Sequence, residues 1–186
     1  NKDEIYFFGK FKRGIKIKTN NITKTLNLLR KEKILGNKNF VIKIKKNIPH
    51  GSGLGGASAD AACLINFFYK KMKLNTKKKR LYKLANLIGE DVLLSLVSKN
   101  LYLTGKKFRI LNLKNKLNIL IIFPNILCST KSIYSKNKKF SLSNPLPLSV
   151  LTEKKKLMLF LQREHNDLEK TVVKIYPEVG KIIKNI

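Results

Sequence analysis

Four glycines fall within Gly51–Gly56, separated only by Ser52 and Leu54, and Ala57, Ser58, Ala59 and Asp60 then lead into an apolar helical stripe. Glycines let a backbone approach a bound group closely, and the free N–H groups of a following helix supply partial positive charge. The chemistry on offer is the binding of an anion. A tight turn between strand and helix is the plain alternative, although four glycines are more than a turn needs.

Two phosphate fingerprints fit this segment only in part. Gly51-Ser52-Gly53-Leu54-Gly55-Gly56 satisfies G-x-G-x-x-G, but the dinucleotide-binding version wants an acidic residue about 20 positions on to hold the ribose. No Asp or Glu lies between Asp60 and Glu90, and Pro49 interrupts the strand that should run into the turn. The spacing from Gly51 to Gly56 also matches G-x-x-x-x-G-K-[ST], yet Ala57 stands where the phosphate-gripping lysine belongs. What remains is a glycine cradle at a helix start.

The elements around the cradle are legible from periodicity. Phe40, Ile42 and Ile44 alternate with Val41, Lys43 and Lys45, as in a strand with one wet face, and Asn47-Ile48-Pro49 breaks it. Ala61, Leu64, Ile65, Phe68 and Met72 give a helix starting near Ala57. Upstream, Asn20 or Asn21 caps a helix with the stripe Ile22, Leu26 and Leu29. Downstream, a helix over Leu81–Ile88 ends at Gly89, and Leu101–Thr104 and Leu117–Phe123 read as strands, the second apolar enough to be buried on both faces. Ser135–Pro147 reads as a surface loop. Helices follow over Leu151–Arg163 and from Leu168, capped by Asn166 or Asp167, to a stop at Pro177.

With 186 residues, 43% of them hydrophobic, the chain can bury a core in one or two small domains, and no apolar run is long enough to cross a membrane. Cys63 and Cys128 are expected as buried small hydrophobes in a reducing compartment, without metal-site spacing. The opening Asn1-Lys2-Asp3-Glu4 has no Met and no signal-peptide layout, as expected of a piece of a longer, unexported protein. The formal charge is +29, but the lysines are dispersed along the chain and accompany abundant Asn and Ile. That pattern reads as compositional drift, with no specific nucleic-acid partner; a basic nucleic-acid-binding module is the rival class.

The run Pro49-His50-Gly51-Ser52-Gly53-Leu54-Gly55-Gly56-Ala57-Ser58 with Ala59-Asp60-Ala61-Ala62 resembles the phosphate-binding motif of the GHMP kinases, the superfamily of galactokinase, homoserine kinase and mevalonate kinase. Three further segments are similar to one branch of it: Ile88-Gly89-Glu90-Asp91-Val92, Ser129-Thr130 with Tyr134, and Asn166-Asp167-Leu168-Glu169. The resemblance implies an α+β fold of two domains, an ATP-binding part like ribosomal protein S5 domain 2 over residues 1–116 and a ferredoxin-like part over 117–186, both incomplete. It implies ATP and Mg²⁺ as cofactors, Pro49 through Ser58 as the ATP-binding residues, and Ser58 as the metal contact.

The same resemblance implies transfer of the ATP γ-phosphate to the 2-hydroxyl of a cytidine-diphosphate-linked methylerythritol in isoprenoid precursor synthesis. Asp91 would be the catalytic carboxylate, with a helix cap as its alternative. Thr130 and Tyr134 would hold the cytidine, with ordinary core as the alternative for Tyr134. Another GHMP small-molecule kinase such as homoserine kinase stays open. The family's N-terminal Lys-x-Asn-Leu and Gly-Tyr-His elements and its C-terminal glycine-rich motif have no counterpart here, and Glu90, Leu93 and Leu94 depart from its pattern around Asp91. The expected location is the cytoplasm, or a plastid-like organelle, with no membrane partner and a homodimer left open.

Overall fold

The computed structural model describes residues 2–73, 76–104, 107–111, 116–126, 128–141, 147–151 and 153–186. Helices and strands are mixed, as in an α+β protein, and the chain divides into two compact units, Asn1–Leu101 and Tyr102–Ile186.

In the first unit, β1 (Glu4–Phe8) and β2 (Val41–Lys45) pair in parallel, Glu4 opposite Val41 and Phe8 opposite Lys45. Parallel partners need a crossover, and α1 (Asn21–Lys31) supplies it. Asn20 is the cap of that helix, its Oδ1 accepting from the Thr23 N–H at 3.0 Å. The stripe Ile22, Leu26 and Leu29 is buried with Ile5, Ile44 and Leu35. Beyond the glycines come α2 (Gly56–Lys71), α3 (Lys78–Ile88) and α4 (Glu90–Val97). Gly89 ends α3 and begins α4 in extended backbone.

α2 joins two apolar clusters. Phe68 enters the first and meets Phe40 edge to face at 5.0 Å between centroids. Ala61, Ala62 and Ile65 form the second with Leu81, Ala85, Val92 and Leu96. These positions give one face of the helix, and Cys63 lies off it. The expectation of a buried Cys63 is corrected: the residue is exposed, and both cysteines are free.

β3 (Leu101–Thr104), which starts at the last residue of the first unit, pairs with β4 (Lys107–Ile110), and the second unit continues with α5 (Thr130–Lys136), α6 (Lys154–Arg163), α7 (Glu169–Ile175) and α8 (Pro177–Lys184). Four sequence readings change here. Leu117–Phe123 is irregular, with Ile119 80% and Leu120 78% exposed. A strand exists only with a ladder partner, and none pairs with this segment among the described residues. The loop expected from Ser135 starts after α5, its positions 142–146 lying outside the described residues. Pro177 ends α7 but opens α8, taking the first helical position where its missing N–H does no harm. α7 and α8 approach so closely that a Cβ on Gly180 would stand 2.7 Å from Val173 Cγ1. Asn166 does not cap α7 but accepts from the Leu168 N–H at 3.0 Å, just ahead of it.

The start of the first unit is pinned by a charged clamp. Asp3 accepts both Arg30 guanidinium nitrogens, one of them at 2.8 Å, and the Phe40 N–H at 3.0 Å, while Arg30 also donates to the Lys38 carbonyl at 2.9 Å. The Arg30 hydrogen bonds, more than the Phe40 N–H and the Arg30 charge, hold the Asp3 carboxyl below its usual range, against the opposing effect of burial. A depressed folded pKa gives stability that is full above the unfolded pKa of about 4 and is lost as the pH falls through the folded value. Asp3→Asn should therefore lower unfolding stability by about 1–3 kcal/mol at neutral pH, and the gap to the unaltered protein should close below about pH 4 in urea titrations; a gap independent of pH would refute the clamp.

Candidate functional site

β2 delivers the chain to the glycine segment through Lys46, whose N–H donates to the Phe8 carbonyl at 2.7 Å and whose carbonyl accepts from the Phe11 N–H at 3.3 Å. The chain leaving β1 crosses this residue so tightly that a Cβ on Gly9 would stand 2.9 Å from the Lys46 carbonyl oxygen, and Gly9 has a φ of +96°. Gly51, Gly53 and Gly55 then adopt left-handed φ values of 71°, 74° and 66°. L-residues with a Cβ avoid that region, so the alternation of glycines is a backbone requirement. Gly56 is different: a Cβ there would sit 3.4 Å from the Ile48 side chain.

Gly55 is the N-cap of α2, and no side chain caps the helix. Its carbonyl accepts from Ser58 at 3.0 Å and Ala59 at 2.9 Å, leaving the N–H groups of Gly56 and Ala57 without a backbone acceptor among the described residues. Unspent donors at the positive end of a helix of 16 residues suit an anion. The segment from Pro49 to Ser58 lines one hollow of about 160 Å³ together with Lys46. Every ATP-binding residue expected from the sequence thus borders a single space.

A larger hollow, about 280 Å³, adjoins it and shares Lys46, His50 and Ala57. Phe7, Ile15 and Ile22 give it apolar wall, and Thr19, Asn20 and Asn21 give it polar edge. Lys46, which lines both, is only 6% exposed, and its ammonium meets Asp60 Oδ2 at 2.7 Å. A buried ammonium requires such a partner.

Of the remaining expected residues, Asp91 belongs to the same unit as the hollows and lines neither. Asp91 is exposed in the first turn of α4 and makes no capping hydrogen bond, so the cap alternative falls; with Glu90 it places negative charge at the helix N-terminus. Thr130 opens α5 in the second unit, and its side chain lies outside the described residues. Tyr134 on the same helix is 54% exposed and stacks on Phe140 at 6.2 Å between centroids, which removes the core alternative. Among the described residues, no cluster of three or more His, Cys, Asp or Glu could hold a metal. Ser58, half-buried in the smaller hollow, offers one hard oxygen.

Residues 20–99 match the GHMP kinases N terminal domain. A curated 4-diphosphocytidyl-2-C-methyl-D-erythritol kinase of Pelagibacter ubique (strain HTCC1062) is 41% identical over 182 residues, covering 96% of this chain and 63% of that protein. Over nearly all of its length the chain is thus similar to GHMP kinases. The kinase of the same name from Caldanaerobacter subterraneus subsp. tengcongensis is 33% identical over 187 residues, covering 98% of this chain and 65% of that protein. A crystal structure of 4-(cytidine 5'-diphospho)-2C-methyl-D-erythritol kinase superposes with a TM-score of 0.66 at 21% identity, over 98% of this chain and 65% of that one, which shows a shared fold. The chain spans just under two thirds of the length of these relatives.

The matched GHMP segment contains the glycine cradle and Asp91, and also the pair that the sequence reading passed over, Lys46 and Asp60. A signal for Lys46 was present: it continues the inward alternation of Phe40, Ile42 and Ile44, a charge on the dry face of a strand. In the cradle, a Cβ on Gly55 would meet nothing within 4 Å, so only its left-handed φ resists substitution. Gly55→Val should accordingly lower unfolding stability by roughly 1–3 kcal/mol, read by denaturant titration; an unchanged midpoint would mean the cradle relaxes freely and is not held in this conformation.

Proposed function

We propose that this chain is the ATP-binding and acceptor-activating part of a kinase that moves the ATP γ-phosphate to the 2-hydroxyl of 4-diphosphocytidyl-2-C-methyl-D-erythritol, a step in non-mevalonate isoprenoid precursor synthesis. The observation that carries it is the uncapped start of α2, with three left-handed glycines leading to it and Gly56 and Ala57, whose N–H groups have no backbone acceptor among the described residues, lining a hollow. The 41% identity to a kinase of that name supports the choice of acceptor.

In this reading the phosphates lie in the smaller hollow on the N–H groups of Gly56 and Ala57, and the nucleoside occupies the larger one, where apolar wall and polar edge suit a base and its sugar. Mg²⁺ would be held by the Ser58 hydroxyl together with phosphate oxygens, as this small cation is commonly bound, and would supply charge neutralisation. Asp91 orients the attacking hydroxyl and accepts its proton, while positioning and charge stabilisation carry most of the rate. Tyr134 offers a face to the cytosine, and Thr130 lies near the same ligand. The two-domain layout divided near Leu117, S5-like then ferredoxin-like, and a cytoplasmic site of action belong to the same reading.

Asp91 and Tyr134 should fail differently in steady-state assays with ATP and the cytidine-linked acceptor. Asp91→Asn keeps shape but takes no proton, and should lower kcat by roughly 10²-fold or more with little change in KM. Tyr134→Ala should mainly raise KM, since stacking on a base is worth about 1–3 kcal/mol and is made in the ground state. Near-normal turnover in Asp91→Asn would remove the carboxylate from the chemistry. An unchanged KM, with no altered preference between cytidine- and uridine-linked acceptors in Tyr134→Ala, would remove the cytosine site while leaving the kinase reading in place.

A further inference from the structure

We propose that Asp60 is a positioning residue for the nucleotide: its carboxylate holds the Lys46 ammonium in the wall shared by the two hollows, where that charge meets the bound phosphates. The inference rests on the reading that these hollows take ATP. Lys46 borders both spaces, whereas Asp60 borders only the larger one, so of the ion pair the lysine alone lines the glycine hollow. Lys46 follows the last residue of β2, and Asp60 lies one turn into α2, so their 2.7 Å ion pair closes the loop that carries the cradle.

A lysine side chain is a flexible four-carbon stem that carries its charge to water whenever it can. Only a fixed counter-charge keeps an ammonium at a dry wall, and among the described residues Asp60 is the one carboxylate lining either hollow. The other charged or titratable side chains there, Lys16 and His50, bring no negative charge. A cation held in place before the ligand arrives spares the ordering that binding would otherwise require.

Simple charge counting gives the opposite sign. A carboxylate near a phosphate site repels the ligand, so on that account neutralising Asp60 tightens binding. Calorimetric titration of the protein with ATP alone, without acceptor, separates the two. Asp60→Asn should weaken ATP binding about tenfold, the change that about 1.4 kcal/mol makes. Lys46→Met should weaken it at least as much. The double variant should bind no worse than Lys46→Met, because a residue acting only through Lys46 has nothing left to do. Asp60→Glu, which keeps the charge on a longer arm, should bind with intermediate affinity and serves in place of Asp60→Asn if that variant does not fold.

Equal or tighter ATP binding by Asp60→Asn or Asp60→Glu overturns the inference, as does a further loss when Asp60→Asn is added to Lys46→Met. A fall in melting temperature with unchanged affinity also overturns it, since that is the mark of a merely structural pair. An unaltered protein that takes up no ATP removes the nucleotide reading itself, and this inference with it.

Discussion

An anion held by backbone N–H groups needs a helix whose first donors are left unspent, and such a helix must be anchored by something other than its own cap. In this chain α2 lacks a capping side chain, and its fixity comes from its buried face. Ala61, Ala62 and Ile65 are fixed in one apolar cluster and Phe68 in the other, so the helix is held along most of its length while its first turn stays open. Burial of that face is the constraint on which the cradle depends, because in water a lone helix of this length is marginal.

The small residues in that face decide what comes near it. Ala61 and Ala85 are fully buried, as is Val92 one residue after Asp91, and all three belong to the cluster that joins α2, α3 and α4. Short side chains let helix axes approach closely, so the break at Gly89 and the first turn of α4 are fixed to the same packing that fixes α2. Asp91 is exposed at that turn, on a helix whose next residue is locked in the core. A carboxylate in that position is open to solvent on a backbone fixed by its neighbour's packing.

The strand, cradle and helix were legible because each carries a local signature: period-two alternation, clustered glycines, and apolar spacing at three and four. The Asn20 cap and the Gly89 break were legible for the same reason. What escaped the sequence depends on partners distant along the chain. Cys63 was expected inside because α2 is apolar on several sides, and only the packing of Ala62, Ile65 and Phe68 settles which side is dry. Leu117–Phe123 has the composition of a strand, but composition does not supply a ladder. Lys46 was hidden by the opposite habit, since a lysine is read as solvated until a buried partner such as Asp60 is seen.

The excess of cationic charge bears on the site in a limited way. A formal +29 raises the local concentration of any anion around the protein, but at physiological salt the field of exposed charges fades over about 8 Å and does not tell one phosphate ester from another. Lys46 differs from the exposed lysines because it is desolvated, oriented and paired, so its contribution is short-ranged and geometric. Dispersed lysines are thus compatible with a selective anion site, provided that selection is made by fixed donors at the start of α2 and by one ammonium held in register with them.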